Sequence, residues 1–365
     1  FYELRKGKKL FYSVTDSRLT EIEPKPQTVN LALEKSKGNT ICRNWSASLI
    51  DIGDGVVCVE FHSPLQPAMN PIDGAIIDML NQALDMVSDG DYRGLIIGHQ
   101  GTHFSAGANL AMILQLCENK DWKRLEEVSR YFQDTGQRLK FAPFPVVAAP
   151  HNLCLGGGFE IIGACDRIVA SAELYCGAVE VGVGLIPGAG GNLRLLLNFI
   201  DSMAPARPGP FPPVQRAFET IGFAKVSSSA KEAVKLGYLK KGDKIVINSD
   251  NLLFSAKQAV INLSSDYTPP EYRADIILPG EGGRLAVEAV LDNMVLAGRI
   301  SEHDRLIGKK LAYVLTGGDR ASPTNPVDEQ YILDIEREAF VSLAAEPLSQ
   351  ARMAHMLKTG KPLRN

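Results

Sequence analysis

Two carboxylates twenty positions apart, Glu160 and Glu180, each stand beside a cluster of glycines. Gly156-Gly157-Gly158 opens an apolar segment (Phe159, Ile161, Ile162, Ala164) at helical spacing. A glycine-opened helix start leaves free backbone N–H groups at the positive end of the helix dipole, with no side chain to block a ligand. Glu160 lies three residues beyond Gly157, on the same helix face, and its side chain leans back toward the N-terminus. A carbonyl oxygen held by those N–H groups would therefore lie near a carboxylate. The second cluster, Gly188-Ala189-Gly190-Gly191, precedes another helix start at Asn192 to Leu197, and Glu180 comes just before it among Val179, Val181, Val183, Leu185 and Ile186. Taken singly, each has a plainer reading: Glu160 caps its own helix start, and Glu180 is a solvated loop residue. Taken together, two carboxylates beside two such helix starts suit general acid–base work on a substrate held by backbone donors.

Elements that would position them can be read along the chain. Residues 1 to 44 alternate short apolar groups (Phe1, Tyr2, Leu10, Phe11, Tyr12, Val14) around a turn at Gly7, then run into Glu21-Ile22-Glu23-Pro24-Lys25-Pro26, which predicts a hairpin and an extended linker. Two alternating runs, SASLID and VVCVEF, flank Gly53-Asp54-Gly55, a hairpin signal. A helix over Ile72 to Val87 follows, then buried strands at Gly94 to Ile97 and Val146 to Ala149. Phe104 to Asn109 carries small residues that let a backbone approach a ligand, and also reads as an ordinary turn before a helix near Leu110. Further helices are expected over Ala111 to Leu116 and Trp122 to Phe141. Pro205, Pro208, Pro210, Pro212 and Pro213 read as an extended, exposed insert near 201–216. Val226-Ser227-Ser228-Ser229-Ala230-Lys231-Glu232-Ala233 reads as a serine-capped helix that ends at Gly237, and Ile245 to Ile247 as a strand. Residues 281 to 359 carry four amphipathic helical patterns, with Ser301 and Asp304 as a capping pair and Asn325-Pro326 as a helix start. Nothing in that stretch suggests chemistry, and Glu336, Arg337 and Glu338 read as a solvated helix face.

Composition narrows the class. The 365 residues suffice for one large domain or two modest ones, and a net charge of −3 with interspersed signs excludes a basic nucleic-acid face. Six cysteines without a C-x-x-C pair read as reduced, buried thiols of a cytoplasmic setting, and six histidines show no ligand spacing, so no metal is expected. No apolar run approaches the roughly 20 residues of a membrane helix. Gly182-Val183-Gly184-Leu185-Ile186-Pro187 breaks the G-x-G-x-x-G spacing, so nicotinamide binding is not expected. The opening at Phe1 suggests a piece of something longer.

The segments HFSAGANL (103–110), PVVAAPHNLCLGGGFEIIGACDRIVAS (145–171) and EVGVGLIPGAGGNLRL (180–195) resemble the crotonase superfamily, the enoyl-CoA hydratases and isomerases. The resemblance covers roughly 46 to 270, and both ends resemble multifunctional β-oxidation proteins that join a 3-hydroxyacyl-CoA dehydrogenase to a crotonase. It implies an α/β crotonase (ClpP-like) fold of repeated ββα turns over 46–275, an N-terminal hairpin and linker over 1–45, and an all-helical C-terminal module over 276–365. It implies hydration of 2-enoyl-CoA in fatty acid β-oxidation, with Glu160 and Glu180 as the catalytic pair and the N–H groups of Ala108 and Gly157 as the oxyanion hole. Ala68, Met69, Ala106, Asn109 and Gly188 then contact the substrate, whose coenzyme A is no separate cofactor. The family commonly has Asp where Asn109 stands, and often a basic residue at Ala111, so one coenzyme contact is expected to be missing or supplied elsewhere. His62, His99 and His103 are positional by the same comparison, and Ile113, Leu114, Leu116 and Phe132 wall the acyl tail or simply fill the core. The expected partners are an acyl-CoA thioester and either further copies of the chain or a dehydrogenase half. A Δ3,Δ2-enoyl-CoA isomerase and a non-catalytic assembly module are the alternatives.

Overall fold

The computed structural model describes residues 2–365 other than Lys6 and Pro24. Phe1 and Pro24, read above as parts of the hairpin and linker, lie outside the described residues. The chain opens with strands β1 (Tyr2–Arg5), β2 (Lys8–Ser13) and β3 (Arg18–Glu21), an antiparallel sheet of three strands where the sequence suggested a hairpin of two. After helix α1 (Leu31–Ser36) the body begins: β4 (Thr40–Arg43), β5 (Ala47–Asp51), β6 (Val56–Phe61), α2 (Gly74–Asp89), β7 (Gly94–Ile97), α3 (Leu110–Glu118), α4 (Trp122–Lys140) and β8 (Val146–Ala148). It continues through β9 (Asn152–Leu155), α5 (Gly157–Ile162), β10 (Arg167–Ser171), β11 (Leu174–Gly177), a 3-10 turn at Glu180–Val183, and α6 (Gly191–Met203). α7 (Phe211–Gly222), α8 (Ala230–Lys235), β12 (Lys244–Val246) and α9 (Leu252–Leu263) close the body. Four helices end the chain: α10 (Gly280–Leu296), α11 (Glu302–Leu315), α12 (Glu329–Ala344) and α13 (Pro347–Thr359).

Seven strands form one sheet in the order β12-β10-β8-β7-β6-β5-β4, antiparallel at β4–β5–β6 and parallel from β6 to β12. A central strand covered on both faces must be apolar at every position rather than at alternate ones. β6 meets this condition, being buried throughout. Its Val57 and Val59 join the core that contains α2, while Val56 and Cys58 join a second core built on Leu252, Leu253, Ala256 and Val260 of α9. Truncating Leu253 to Ala would leave a cavity under the sheet and cost about 2–5 kcal/mol. A smaller parallel pair, β9 with β11, stands apart from the main sheet and delivers the chain to α5 and to the 3-10 turn.

Several expectations shift. The prolines do not make one extended insert through 216: residues 204–210 are largely exposed, but Pro212 and Pro213 sit in the first turn of α7, where a missing N–H costs nothing. α12 starts three residues later than Asn325-Pro326 suggests, because Asp328 accepts the Tyr331 N–H as its N-cap while Asn325 closes a turn with Ser322. The Ser301/Asp304 capping box holds as expected. The C-terminal helices bury their apolar faces on the body itself, α12 against α4 and α6, α13 against α3, and α11 against α7.

Candidate active site

The first glycine cluster makes a tight entrance to α5. Gly156, at φ +49°, ends β9 with its N–H on the Gly177 carbonyl (2.8 Å), and Gly157 is the first residue of the helix. A Cβ on Gly157 would lie 3.1 Å from the Ala108 nitrogen and 3.4 Å from the Phe132 ring, so only glycine fits without movement. Ala108 is clamped from both sides: Ile72 N–H donates to the Gly107 carbonyl (2.8 Å) and Asn109 N–H to the Ile72 carbonyl (2.9 Å). Among the described residues neither the Ala108 nor the Gly157 N–H donates to a turn or loop acceptor. Two unused backbone donors thus stand close together.

Glu160 does not cap its own helix. Its Oε1 accepts from Ala189 N–H (2.7 Å) and Gly191 N–H (3.0 Å), so it caps the start of α6 instead. A side chain at Gly191 would press on Glu160 at 3.0 Å and on Pro187 at 2.8 Å. Glu180 is not a solvated loop residue. It opens the 3-10 turn, its Oε1 lies beside Gly156, 3.1 Å from where a Cβ would stand, and its Oε2 is enclosed without a hydrogen-bond partner. Gly184, at φ +85°, ends that turn, and its carbonyl accepts from Ser349 Oγ of α13 (2.6 Å), which in turn meets His303 Nε2 of α11 at 2.9 Å.

Burial is the main cause of the electrostatics. It pushes the Glu180 carboxyl up to about 7, with the charge of Glu336 adding and local backbone N–H groups opposing. Burial, then the charges of Glu180 and Glu336, raise Glu160 well above the ordinary carboxylate range against the pull of the Ala189 and Gly191 donors. At about 7 the Glu180 carboxyl can hold or release a proton near neutral pH, which suits acid–base exchange.

Glu336 is the residue that sequence reasoning placed wrongly. It is fully buried, and Arg337 nearly so, while Glu338 alone of the three is exposed. Its Oε1 accepts from Gly190 N–H (2.6 Å) and Gln133 Nε2 (3.0 Å), and its Oε2 from Asn192 N–H (3.0 Å) and Asn192 Nδ2 (2.9 Å). A signal was present: Glu336 sits between Ile332, Leu333 and Phe340 at helical spacing, in the middle of an apolar stripe. Nearby, Glu329 is also fully buried and pairs with Lys140 Nζ (2.5 Å) and Arg194 (3.7 Å).

The remaining expected residues gather with less definition. Ala106 N–H donates to the Met69 carbonyl (2.8 Å), which brings the exposed Ala68–Met69 loop beside the Ala106–Ala108 turn. Asn109 spends its carboxamide oxygen as N-cap of α3, on Met112 N–H (3.2 Å), rather than pointing it at a ligand. Gly188 lies under Phe340, whose ring would be 2.6 Å from a Cβ there, and its carbonyl accepts from Ser129 Oγ (2.5 Å). His99 is buried and pushed down to about 3, bonded to Asn70 and the Phe104 carbonyl, while His62 meets Ser48. A cavity of about 280 Å³ between α7, α10 and α11 reaches Val181 and Gly182 but none of Glu160, Glu180, Ala108 or Gly157, so it is not the reacting centre. Among the described residues no group of His, Cys, Asp and Glu is placed to hold a metal, no helix is long and apolar enough to cross a membrane, and all six cysteines are free thiols.

Residues 51–202, within the α/β body, match the model of the enoyl-CoA hydratase/isomerase family, the crotonase superfamily. Across its whole length the chain is 44% identical to a probable 3-hydroxyacyl-CoA dehydrogenase of Bacillus subtilis (strain 168), covering 45% of that protein. It is 28% identical over 87% of its length to a putative fatty acid oxidation complex trifunctional enzyme of Rickettsia felis, covering 40% of it. The chain therefore spans less than half the length of these curated relatives. Its fold matches the crystal structure of an enoyl-CoA hydratase from Bacillus halodurans with a TM-score of 0.57 at 18% identity, over 85% of this chain and 99% of that one.

Proposed function

We propose that this protein adds water to 2-enoyl-CoA thioesters to give 3-hydroxyacyl-CoA. The observation that carries the reading is that buried Glu160 and half-buried Glu180, the second with its Oε1 beside Gly156, stand with carboxyls raised by burial next to the helix start where the Ala108 and Gly157 N–H groups are unused. Attack at C3 builds negative charge on the thioester oxygen, and two donors aimed at that oxygen stabilise it, one such donor being worth about 3 kcal/mol of barrier. Glu160, its Oε1 fixed by two N–H groups, takes a proton from water as the oxygen bonds to C3. Glu180 gives its proton to C2, and the proton held by Glu160 passes back to Glu180 to reset the pair. Both carboxylates then act on one water, and the chemistry needs no group beyond the substrate's own coenzyme A.

Δ3,Δ2-Isomerisation shares the enolate and the same donors, which makes it a side reaction of this site. The names of the long relatives support a place in fatty acid oxidation, with a dehydrogenase as the neighbouring partner. Loss of enoyl absorbance on mixing with crotonyl-CoA and longer enoyl-CoA tests the reading. Glu160→Gln and Glu180→Gln should each slow turnover by about 10²–10⁴-fold with acyl-CoA binding kept. Near-parental turnover in either variant removes that residue from its role, and an inert parent protein that still binds acyl-CoA favours a non-catalytic assembly module.

A further inference from the structure

Four consecutive backbone N–H groups at the start of α6 are divided alternately between two carboxylates from distant parts of the chain. Ala189 and Gly191 donate to Glu160, whereas Gly190 and Asn192 donate to Glu336. Such donors have no acceptor inside their own helix, and ionised acceptors bind them most strongly. Gly190, at φ +104°, has no side chain to stiffen the turn, so its conformation depends on what holds its N–H. One helical turn further along α12, Phe340 covers Gly188 of the same turn.

We propose that Glu336, supplied by the C-terminal helices, is a positioning residue for Glu160: by holding Gly190 and Asn192 it fixes the turn whose alternate N–H groups orient the Glu160 carboxylate. In its kinetic part this rests on the hydratase reading above. A role limited to tying α12 to the body would spend Glu336 on side chains such as Gln133. Instead, two of its four bonds go to the backbone that seats Glu160. The charged and titratable groups around it are Glu160 on α5, Glu180 on the 3-10 turn, Arg194 on α6 and, on its own helix, Arg337, which is paired with Asp334 (2.7 Å), Gln133 (2.7 Å) and Glu126 of α4 (3.5 Å). Glu336 therefore adds negative charge beside both reacting carboxyls as well as fixing one of them.

The test compares the parent with Glu336→Gln and Glu336→Asp in the full chain. Glutamine keeps the shape, deletes the charge and turns an NH₂ toward donors; aspartate keeps the charge and withdraws it by one methylene. For Glu336→Gln we expect kcat for enoyl-CoA to fall about 10²-fold, the loss that a displacement of about 1 Å brings, with KM changed less than about threefold. The Glu160 carboxyl, followed by ¹³C NMR, should titrate at lower pH in the Gln variant and at the parental pH in the Asp variant, whose kcat is also reduced. Asn192→Ala, which removes one side-chain donor from Glu336 and leaves the backbone bonds, should give a smaller loss in the same direction, and it decides the matter should the Glu336 variants not fold. A folded Glu336→Gln protein with parental kcat and an unmoved Glu160 titration overturns the proposal. If the parent itself is inert on enoyl-CoA, the hydratase reading fails alone, and the Glu160 titration together with the Ala189 and Gly191 amide signals still decides the positioning role.

Discussion

Replacing Glu180 with glutamine should slow the chemistry severely and yet raise the stability of the folded chain, relative to the parent, as pH rises through neutrality. The Glu180 carboxyl sits at about 7 in the native state against 4.5 for the ordinary group, chiefly because burial disfavours its charge. A raised native value means that the folded state holds a proton the unfolded state has released, so stability falls as pH rises from the unfolded value to the native one and is flat beyond it. At about 1.4 kcal/mol for each pH unit, the full cost is about 3 kcal/mol, of which about 2–3 kcal/mol falls between about pH 5 and pH 8. Glutamine does not titrate. Its amide adds a burial cost of about 1–3 kcal/mol where Oε2 has no partner, but that cost is the same at every pH and drops out when two pH values are compared. Urea titrations of parent and variant at both pH values measure the change. The variant's stability relative to the parent should rise by about 2–3 kcal/mol from about pH 5 to about pH 8. Loss of the Glu180 charge also eases ionisation of Glu160, which adds in the same direction. A relative stability that stays constant within about 0.5 kcal/mol across this range would refute the burial and coupling of Glu180.

Gly157→Val keeps the backbone N–H but sets a branched side chain against the Ala108 nitrogen and Phe132, so hydration and isomerisation should be lost together in a folded protein. Gly157→Pro also deletes the donor at a helix position that tolerates proline, and should in addition lose affinity for a thioester analogue bearing the oxyanion; parental turnover in the Pro variant removes the donor from the mechanism. Removing residues from about Ser301 onward strips α11, α12 and α13 from the body, uncovering the surfaces that meet Leu311, Val314, Ile332, Leu333 and Phe340. Light scattering and thermal melts should show aggregation or a lower midpoint, and a soluble, equally stable truncation would contradict the packing described.

Much of the site was legible because glycine punctuates it. Gly156–Gly158 and Gly188–Gly191 mark both helix starts, since close backbone approach at Gly157 and Gly191 leaves no room for a Cβ, whereas Glu180, which taken singly read as a solvated loop residue, packs its Oε1 beside Gly156. What the pattern did not disclose is which donors each acid would meet. Glu160 pairs with N–H groups 29 and 31 residues ahead, and Glu336 with groups 146 and 144 residues behind, distances over which local periodicity says nothing. Glu336 and Arg337 looked solvated because charged residues usually are; here each is satisfied by partners on other helices. Helix α9 went unread although Leu252, Leu253, Ala256 and Val260 recur on one face, and Lys257 within it is buried because its Nζ reaches the Ile52 carbonyl (2.6 Å) and Asp54 (2.8 Å). The start of α12 was misplaced for a smaller reason: Asp328 outcompetes Asn325 as a cap.

The bond from Ser349 to the Gly184 carbonyl gives the C-terminal helices a second grip on the centre. α12 holds the turn that seats Glu160, and α13 holds the far end of the turn that carries Glu180, with His303 of α11 braced behind it. A Cβ on Gly184 would meet the Ser349 backbone at 2.7 Å, so the two segments touch without slack. Mechanically, the two acids are the jaws of a vice whose handle is the bundle. A sub-ångström tilt of α12 and α13 on the body would shift both turns together and so change the gap between the carboxyls.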